Sequence, residues 1–127
     1  MNRVEMIGRL VRPVDLRFTQ SGTPLTQFTL VVDSTPRWDN ELKKSVSSGN
    51  FIAVQMWGNA AERLAEADPP KGSTLYVLGE LTQSQWERHD GTKESKTRVK
   101  AHYVRWLDEP AGVKAEPKPD FGEDAPF

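Results

Sequence analysis

The stretch that most constrains this chain is Phe51-Ile52-Ala53-Val54-Gln55-Met56-Trp57. Read with a period of two, it puts Ile52, Val54 and Met56 on one face and Phe51, Ala53, Gln55 and Trp57 on the other, the pattern of a strand with two usable faces. The first face is a core stripe. The second carries two large aromatics, roughly 20 Å apart at the usual rise of ~3.3 Å per residue, with Gln55 between them. An amide in the middle of an aromatic face is a poor start for a core, and it suits a face that meets flat, wet ligands such as bases.

Gly58 ends this strand, and Asn59 is placed to cap a short helix over residues 60–66, since an Asn side chain can accept from the free N–H groups of a first turn. Pro69-Pro70 stops the helix and Lys71-Gly72 turns the chain into the next strand. The other strands follow from the same alternation. Val4, Met6 and Leu10 alternate in the first, with Gly8 marking a bulge or bend. After Pro13 the extended pattern resumes over residues 14–18, and residues 20–24 form a dense turn signal. Residues 25–33 set Phe28, Leu30 and Val32 against Gln27, Thr29 and Val31. Residues 34–49 have no clear period and read as a long, mobile hairpin arm. Residues 74–86 set Leu75, Val77 and Leu81 against Tyr76 and Leu78, with Gly79 permitting a bend. Asp90-Gly91 turns the chain into a last strand that sets Val99, Ala101 and Tyr103 against Lys100, His102 and Val104. A short helix between the third and fourth of five strands is the layout of an OB-fold. The expected fold is therefore all-β: a five-stranded OB barrel over residues 1–108, followed by a disordered acidic tail over 109–127.

Charge divides the chain at the same place. Residues 1–107 hold 15 Lys+Arg against 12 Asp+Glu, and residues 108–127 hold 2 against 6, a mildly basic domain with an acidic tail. There are no cysteines, which removes disulfide frameworks and leaves no thiolate ligands for a structural zinc. Neither His89 nor His102 stands in a repeated ligand spacing, and there is no nucleophile elbow or phosphate loop. The expectation is a binding protein, not an enzyme, with no cofactor or metal. No run of about 18 apolar residues is present to span a membrane, and Met1-Asn2-Arg3-Val4 enters strand pattern without a signal-peptide core. A cytoplasmic location is expected.

The candidate ligand residues are aromatic and basic. Trp38, Phe51, Trp57 and Trp86 sit among polar neighbours such as Asp39, Asn50 and Gln85. Any one of them alone is ordinary packing; four together, where an OB barrel presents ligands, point to base stacking. Trp106, between Val104 and Leu107, reads as packing. Arg3, Arg17, Lys43, Lys44, Lys71 and Arg88 are the candidate phosphate contacts. In the tail, Asp120, Glu123 and Asp124 precede Pro126 and Phe127. A ring and an α-carboxylate leaving the chain together would fit an aromatic pocket with a basic rim on a partner.

The chain resembles the bacterial single-stranded DNA-binding protein family. The resemblance is carried by Met1-Asn2-Arg3-Val4, Ile7-Gly8-Arg9-Leu10, Asp15-Leu16-Arg17-Phe18, Val54-Gln55-Met56-Trp57-Gly58-Asn59-Ala60-Ala61-Glu62, and Lys71-Gly72-Ser73 through Gly79-Glu80-Leu81 to Trp86. It implies sequence-independent binding of single-stranded DNA, a homo-oligomer (a tetramer), and base stacking on Trp38, Phe51, Trp57 and Trp86. It also implies recruitment of replication, recombination and repair proteins through the Pro126-Phe127 tip. A replication-restart (primosomal) OB protein acting as a protein bridge and a single-stranded RNA binder are the alternatives; the stacking set and the Pro-Phe tip argue against the first. The chain departs from the family in three places. Thr82-Gln83-Ser84-Gln85 stands where basic residues are common, Phe51-Ile52-Ala53 lacks the usual His and Arg, and Ala125 replaces a bulkier aliphatic. The first departure implies a salt dependence shallower than that of relatives that keep the cations.

Overall fold

Alternating apolar residues become strands because a pleated backbone buries every second side chain. In the computed structural model, which describes residues 1–33, 36–46 and 49–110, these strands are β1 (Val4–Leu10), β2 (Asp15–Phe18), β3 (Pro24–Asp33), β4 (Arg37–Asp39), β5 (Lys44–Val46), β6 (Gly49–Trp57), β7 (Thr74–Glu87) and β8 (Lys93–Trp106). A helix, α1 (Asn59–Ala67), lies between β6 and β7. Asp120, Glu123, Asp124, Pro126 and Phe127, with the rest of the expected tail from residue 111, lie outside the described residues.

Five of the strands pair in a ring. The sheet runs β1-β7-β8-β6-β3, and β3 pairs back onto β1 through Arg9↔Val31 and Leu10↔Leu30. The β6–β8 contact is parallel, from Val54↔Val99 to Met56↔Ala101, and the other contacts in the ring are antiparallel. A closed five-stranded sheet with one helix after its third strand is the expected OB-fold. The short strand β2 pairs with the first half of β3, and β4 and β5 form a separate two-stranded sheet. The arm read without a period therefore contains a hairpin, whose three-residue strands are too short to show one.

The barrel is filled by Leu10, Leu30, Val54, Met56, Leu75, Val77, Val99 and Val104, each at most 2% exposed. Helix α1 closes it with Ala61 and Leu64. The buried Thr26 hydroxyl donates to the Ala61 carbonyl oxygen at 2.8 Å, so the lid is fixed to β3 by a satisfied polar contact. Asn59 is not the cap. Gly58 occupies that position with φ 79°, without a side-chain hydrogen bond, because the turn out of β6 needs the left-handed conformation that glycine adopts freely. Helix α1 ends at Ala67, and the Asp68 N–H donates to the Leu64 carbonyl oxygen at 3.1 Å.

One expectation about phase is corrected by an irregularity. Leu78 pairs with Tyr103 but Gly79 pairs with Ala101, leaving His102 without a partner, a β-bulge. The bulge inverts β8: Val104 joins Val99 and Ala101 in the core, while the Tyr103 ring packs edge-on against Tyr76 with centroids 6.1 Å apart. Past the bulge Val99 and Ala101 of β8 still face the core, but Leu81, paired with Val99, is exposed and not part of it. Gly8 shows no bulge, its pairing with Leu75 being continuous with its neighbours. A Cβ there would lie 2.7 Å from the Val31 carbonyl oxygen, so the glycine serves the close approach of β1 to β3.

Trp106 packs against the core, as expected, and its Nε1–H donates to Asp108 Oδ1 at 2.8 Å. The Thr74 N–H donates to the same oxygen at 2.9 Å. These bonds, the Thr74 amide's first, hold the Asp108 carboxyl below its ordinary range against a smaller effect of desolvation.

At Gly79 a Cβ would lie 2.2 Å from the Lys100 carbonyl oxygen, a backbone atom. Gly79→Ala is therefore expected to destabilise the barrel by about 1–3 kcal/mol, the usual range for forced overpacking. Urea denaturation followed by circular dichroism measures it, and an unchanged midpoint would show that the bulge tolerates a side chain.

Candidate nucleic-acid interface

Strand β6 supplies the centre of the site. Its inward residues Val54 and Met56 are buried, so alternation turns Phe51, Ala53, Gln55 and Trp57 outward. Across β3 they oppose Val31, Thr29, Gln27 and Leu25. On the other side Gln55 pairs with Lys100 of β8, which pairs in turn with Glu80 of β7. Directly paired residues share a face, so one outward surface runs continuously over β3, β6, β8 and β7. Along β7 that surface continues through Thr82 and Ser84 to Trp86. The register thus brings Phe51, Trp57 and Trp86 onto one side of the sheet.

All four aromatics are open to solvent, Trp38 at 61%, Phe51 at 69%, Trp57 at 39% and Trp86 at 45%. Apolar rings left in water within one surface mark a contact site. Trp38 stands apart from the other three, on β4 opposite Ser45.

The expected cations separate into two groups. Arg3, Arg17 and Arg88 are ion-paired: Arg3 Nε with Glu5 at 3.6 Å, Arg17 Nε with Asp15 at 2.8 Å, and Arg88 with Glu94. Glu94 is also the cross-strand partner of Trp86. Arg3 belongs to the β1–β7 side of the barrel, where the Tyr76 hydroxyl donates to Glu5 Oε1 at 2.6 Å. That bond is the largest influence in lowering the Glu5 carboxyl below its ordinary range and in raising the Tyr76 phenol above its own. Lys43, with φ 56°, and Lys44 lie at the tip of the β4–β5 hairpin. Lys71 is in the turn between α1 and β7.

A groove of about 280 Å³ crosses that surface. Gln27, Thr29, Ala53 and Gln55 line it from β3 and β6, with Arg12 and Asp15 at one side and Lys96 and Arg98 at the other. These three cations were missed in the sequence reading. Arg12 carried no signal; for Lys96 and Arg98 it was the alternation Glu94, Lys96, Arg98, Lys100 on one face of the last strand. Its meaning depends on the cross-strand register, which can be counted outward from the Asp90-Gly91 turn. Among the described residues no group of His, Cys, Asp and Glu could hold a metal ion, and no helix is long and apolar enough to cross a membrane.

Residues 1–107 match the Single-strand binding protein family. The chain belongs to that family. Single-stranded DNA-binding proteins of Thermotoga maritima and Aquifex aeolicus illustrate the relation among single-strand binding proteins. The first is 35% identical over 131 residues, spanning 97% of this chain and 91% of the relative. The second is 34% identical over 116 residues, spanning 91% and 76%. Two solved structures share the fold with TM-scores of 0.73. One is a deletion mutant of the single-stranded DNA-binding protein from Thermus aquaticus, 27% identical, with 87% of this chain matched to 52% of that one. The other is a Plasmodium falciparum SSB in complex with single-stranded DNA, 20% identical, with 85% of this chain matched to 96% of that one. The family is one of DNA-binding proteins that are not enzymes, in keeping with a surface built from aromatic rings and cations.

Proposed function

We propose that this protein coats single-stranded DNA without sequence preference, stacking bases on Phe51, Trp57 and Trp86, with Trp38 as a further platform on its hairpin. The observation that carries the reading is the common outward surface on which β6 and β7 expose three aromatics beside the basic strand β8. Stacking is sequence-tolerant because every base has a π-face. It does not test for the 2′-hydroxyl, so single-stranded RNA is the competing ligand and belongs in the same experiment. A cytoplasmic, nucleoid-associated location accompanies this ligand.

The division of labour follows the charge. Residues 1–108 form the binding domain, and residues 109–127 form an acidic arm whose Asp120, Glu123, Asp124, Pro126 and Phe127 recruit replication and repair proteins. The homo-oligomer forms through β1. Its pairing with β3 is confined to Arg9 and Leu10, so the same edge of Val4–Ile7 has no strand partner among the described residues, and Ile7 is 56% exposed. An open strand edge beside an apolar side chain is suited to pairing with a second copy.

Three outcomes are expected. Oligo-dT should quench tryptophan emission, and Trp57→Ala or Trp86→Ala should each weaken binding by about 1–3 kcal/mol, whereas Trp106→Ala should mainly lower thermal stability. Normal affinity in a folded Trp86→Ala variant would sink the stacking assignment, and tighter binding to oligo-U would make RNA the ligand. Phe127→Ala should abolish capture of replication and repair proteins from lysate without changing DNA affinity; equal capture would reduce the tail to a solubilising segment. In sedimentation equilibrium the intact chain should be oligomeric and Ile7→Lys should shift it toward monomer. No shift would move the interface elsewhere.

A further inference from the structure

The segment Thr82-Gln83-Ser84-Gln85 leaves β7 without cations between the barrel and Trp86. The register supplies them one strand away. Thr82 pairs with Arg98 and Ser84 with Lys96, and directly opposed residues carry their side chains on the same face about 4.5–5.5 Å apart. Arg98 reaches back over β7, its Nη1 donating to Ser84 Oγ at 3.1 Å, which holds the guanidinium over the segment that lacks charge. Lys100 continues the row two residues further on, between Glu80 and Gln55.

Across the groove stands Arg12, in the connection between β1 and β2, with the side-chain amides of Gln27 and Gln55 on the floor between the two cationic walls. Arg12, Lys96 and Arg98 make no ion pair with any described residue. In this they differ from Arg3, Arg17 and Arg88, whose charge is offset by Glu5, Asp15 and Glu94. Asp15 also lines the groove, but Arg17 holds its carboxylate. An arginine already paired with a carboxylate adds little net attraction for a phosphate, whereas a free one adds a full charge and a planar fork of donors.

We propose that this groove binds the sugar–phosphate backbone of the single strand, with Arg12, Lys96 and Arg98 as its phosphate-contacting residues, Lys96 and Arg98 replacing cations absent from β7. The proposal rests on the reading of the chain as a single-strand binder and specifies the path of the strand: bases on Trp86, Phe51 and Trp57, phosphates in the channel that crosses β6 between Phe51 and Trp57. It reverses the shallow salt dependence expected from β7 alone, because the charge has moved by one strand and has not been lost.

The test is the salt dependence of oligo-dT binding, read by tryptophan quenching. Each phosphate contact contributes about −0.7 to the slope of log K against log salt. Arg12→Gln, Lys96→Gln and Arg98→Gln should each make the slope shallower by about that amount and the triple variant by roughly 2, while Arg3→Gln should leave it unchanged. Arg98→Lys, which keeps the charge, should retain the slope and separates charge from any loss of folding. Ser84→Lys added to Lys96→Thr moves the charge back to β7 across the same cross-strand pair and should restore the slope; failure to restore it would overturn the replacement. A triple variant with the slope of the parent, alongside a weakened Trp86→Ala, would overturn the groove and leave stacking intact. Absence of single-strand binding by the parent protein would overturn both.

Discussion

The close passage of β7 over β8 at Gly79 is the constraint on which the rest of this molecule depends. With no Cβ at that position, the strand can approach the Lys100 carbonyl oxygen, and the bulge that skips His102 forms beside it. A bulge increases local twist and bends the strand that carries it. On the near side of the bend β7 and β8 are barrel wall, with Leu75, Val77 and Val104 in the core. On the far side Val99 and Ala101 of β8 still face the core and pair with β6, and only further out do the two strands form a hairpin of mostly exposed residues that presents Trp86, Lys96 and Arg98. Each 14-residue strand thus folds the domain at its barrel end and extends the surface at its hairpin end.

Much of this was legible in the chain, because alternation is imposed by burial and burial is local. The two faces of residues 51–57 could be read from apolar and polar positions alone, and the structure buries Val54 and Met56 while exposing Phe51 and Trp57. What escaped depended on contacts between distant residues. Val104 took the core face and Tyr103, also buried, the opposite one, because nothing in the last strand announces an extra residue; only its pairing with β7 does. Asn59 was a sound cap by residue type, but the turn out of β6 needs positive φ, and that placed Gly58 at the cap instead. The arm over residues 34–49 was read as a hairpin, but its strands β4 and β5 have three residues each, too few for a period to place them.

The candidate cations show the same limit in electrostatic form. A sequence gives the number of charges, whereas attraction for a ligand depends on which charges remain uncompensated. Arg17 and Arg88 read as phosphate contacts while Arg12 and Arg98 went unnoticed, yet Asp15 lies two residues from Arg17 and Glu94 lies across the hairpin from Arg88. Such exposed pairs add little to stability. Their larger effect is to reduce local positive potential, which narrows the basic surface to the groove between Arg12 and β8.

Stacking and charge respond differently to solution conditions, and their arrangement here separates them in space. Bases on Phe51, Trp57 and Trp86 would contribute about 1–3 kcal/mol each almost independently of salt, since the rings are neutral. Phosphates against Arg12, Lys96 and Arg98 would release counterions, so their share falls as salt rises. The groove floor offers the amides of Gln27 and Gln55 and the small side chain of Ala53. With the backbone held there, base edges would turn away from those amides toward the rings. Direct readout needs donors and acceptors fixed against base edges, and rings that take bases by their faces do not provide it. Lack of sequence preference then follows from geometry: the polar groups of the surface meet the part of the ligand that every nucleotide shares.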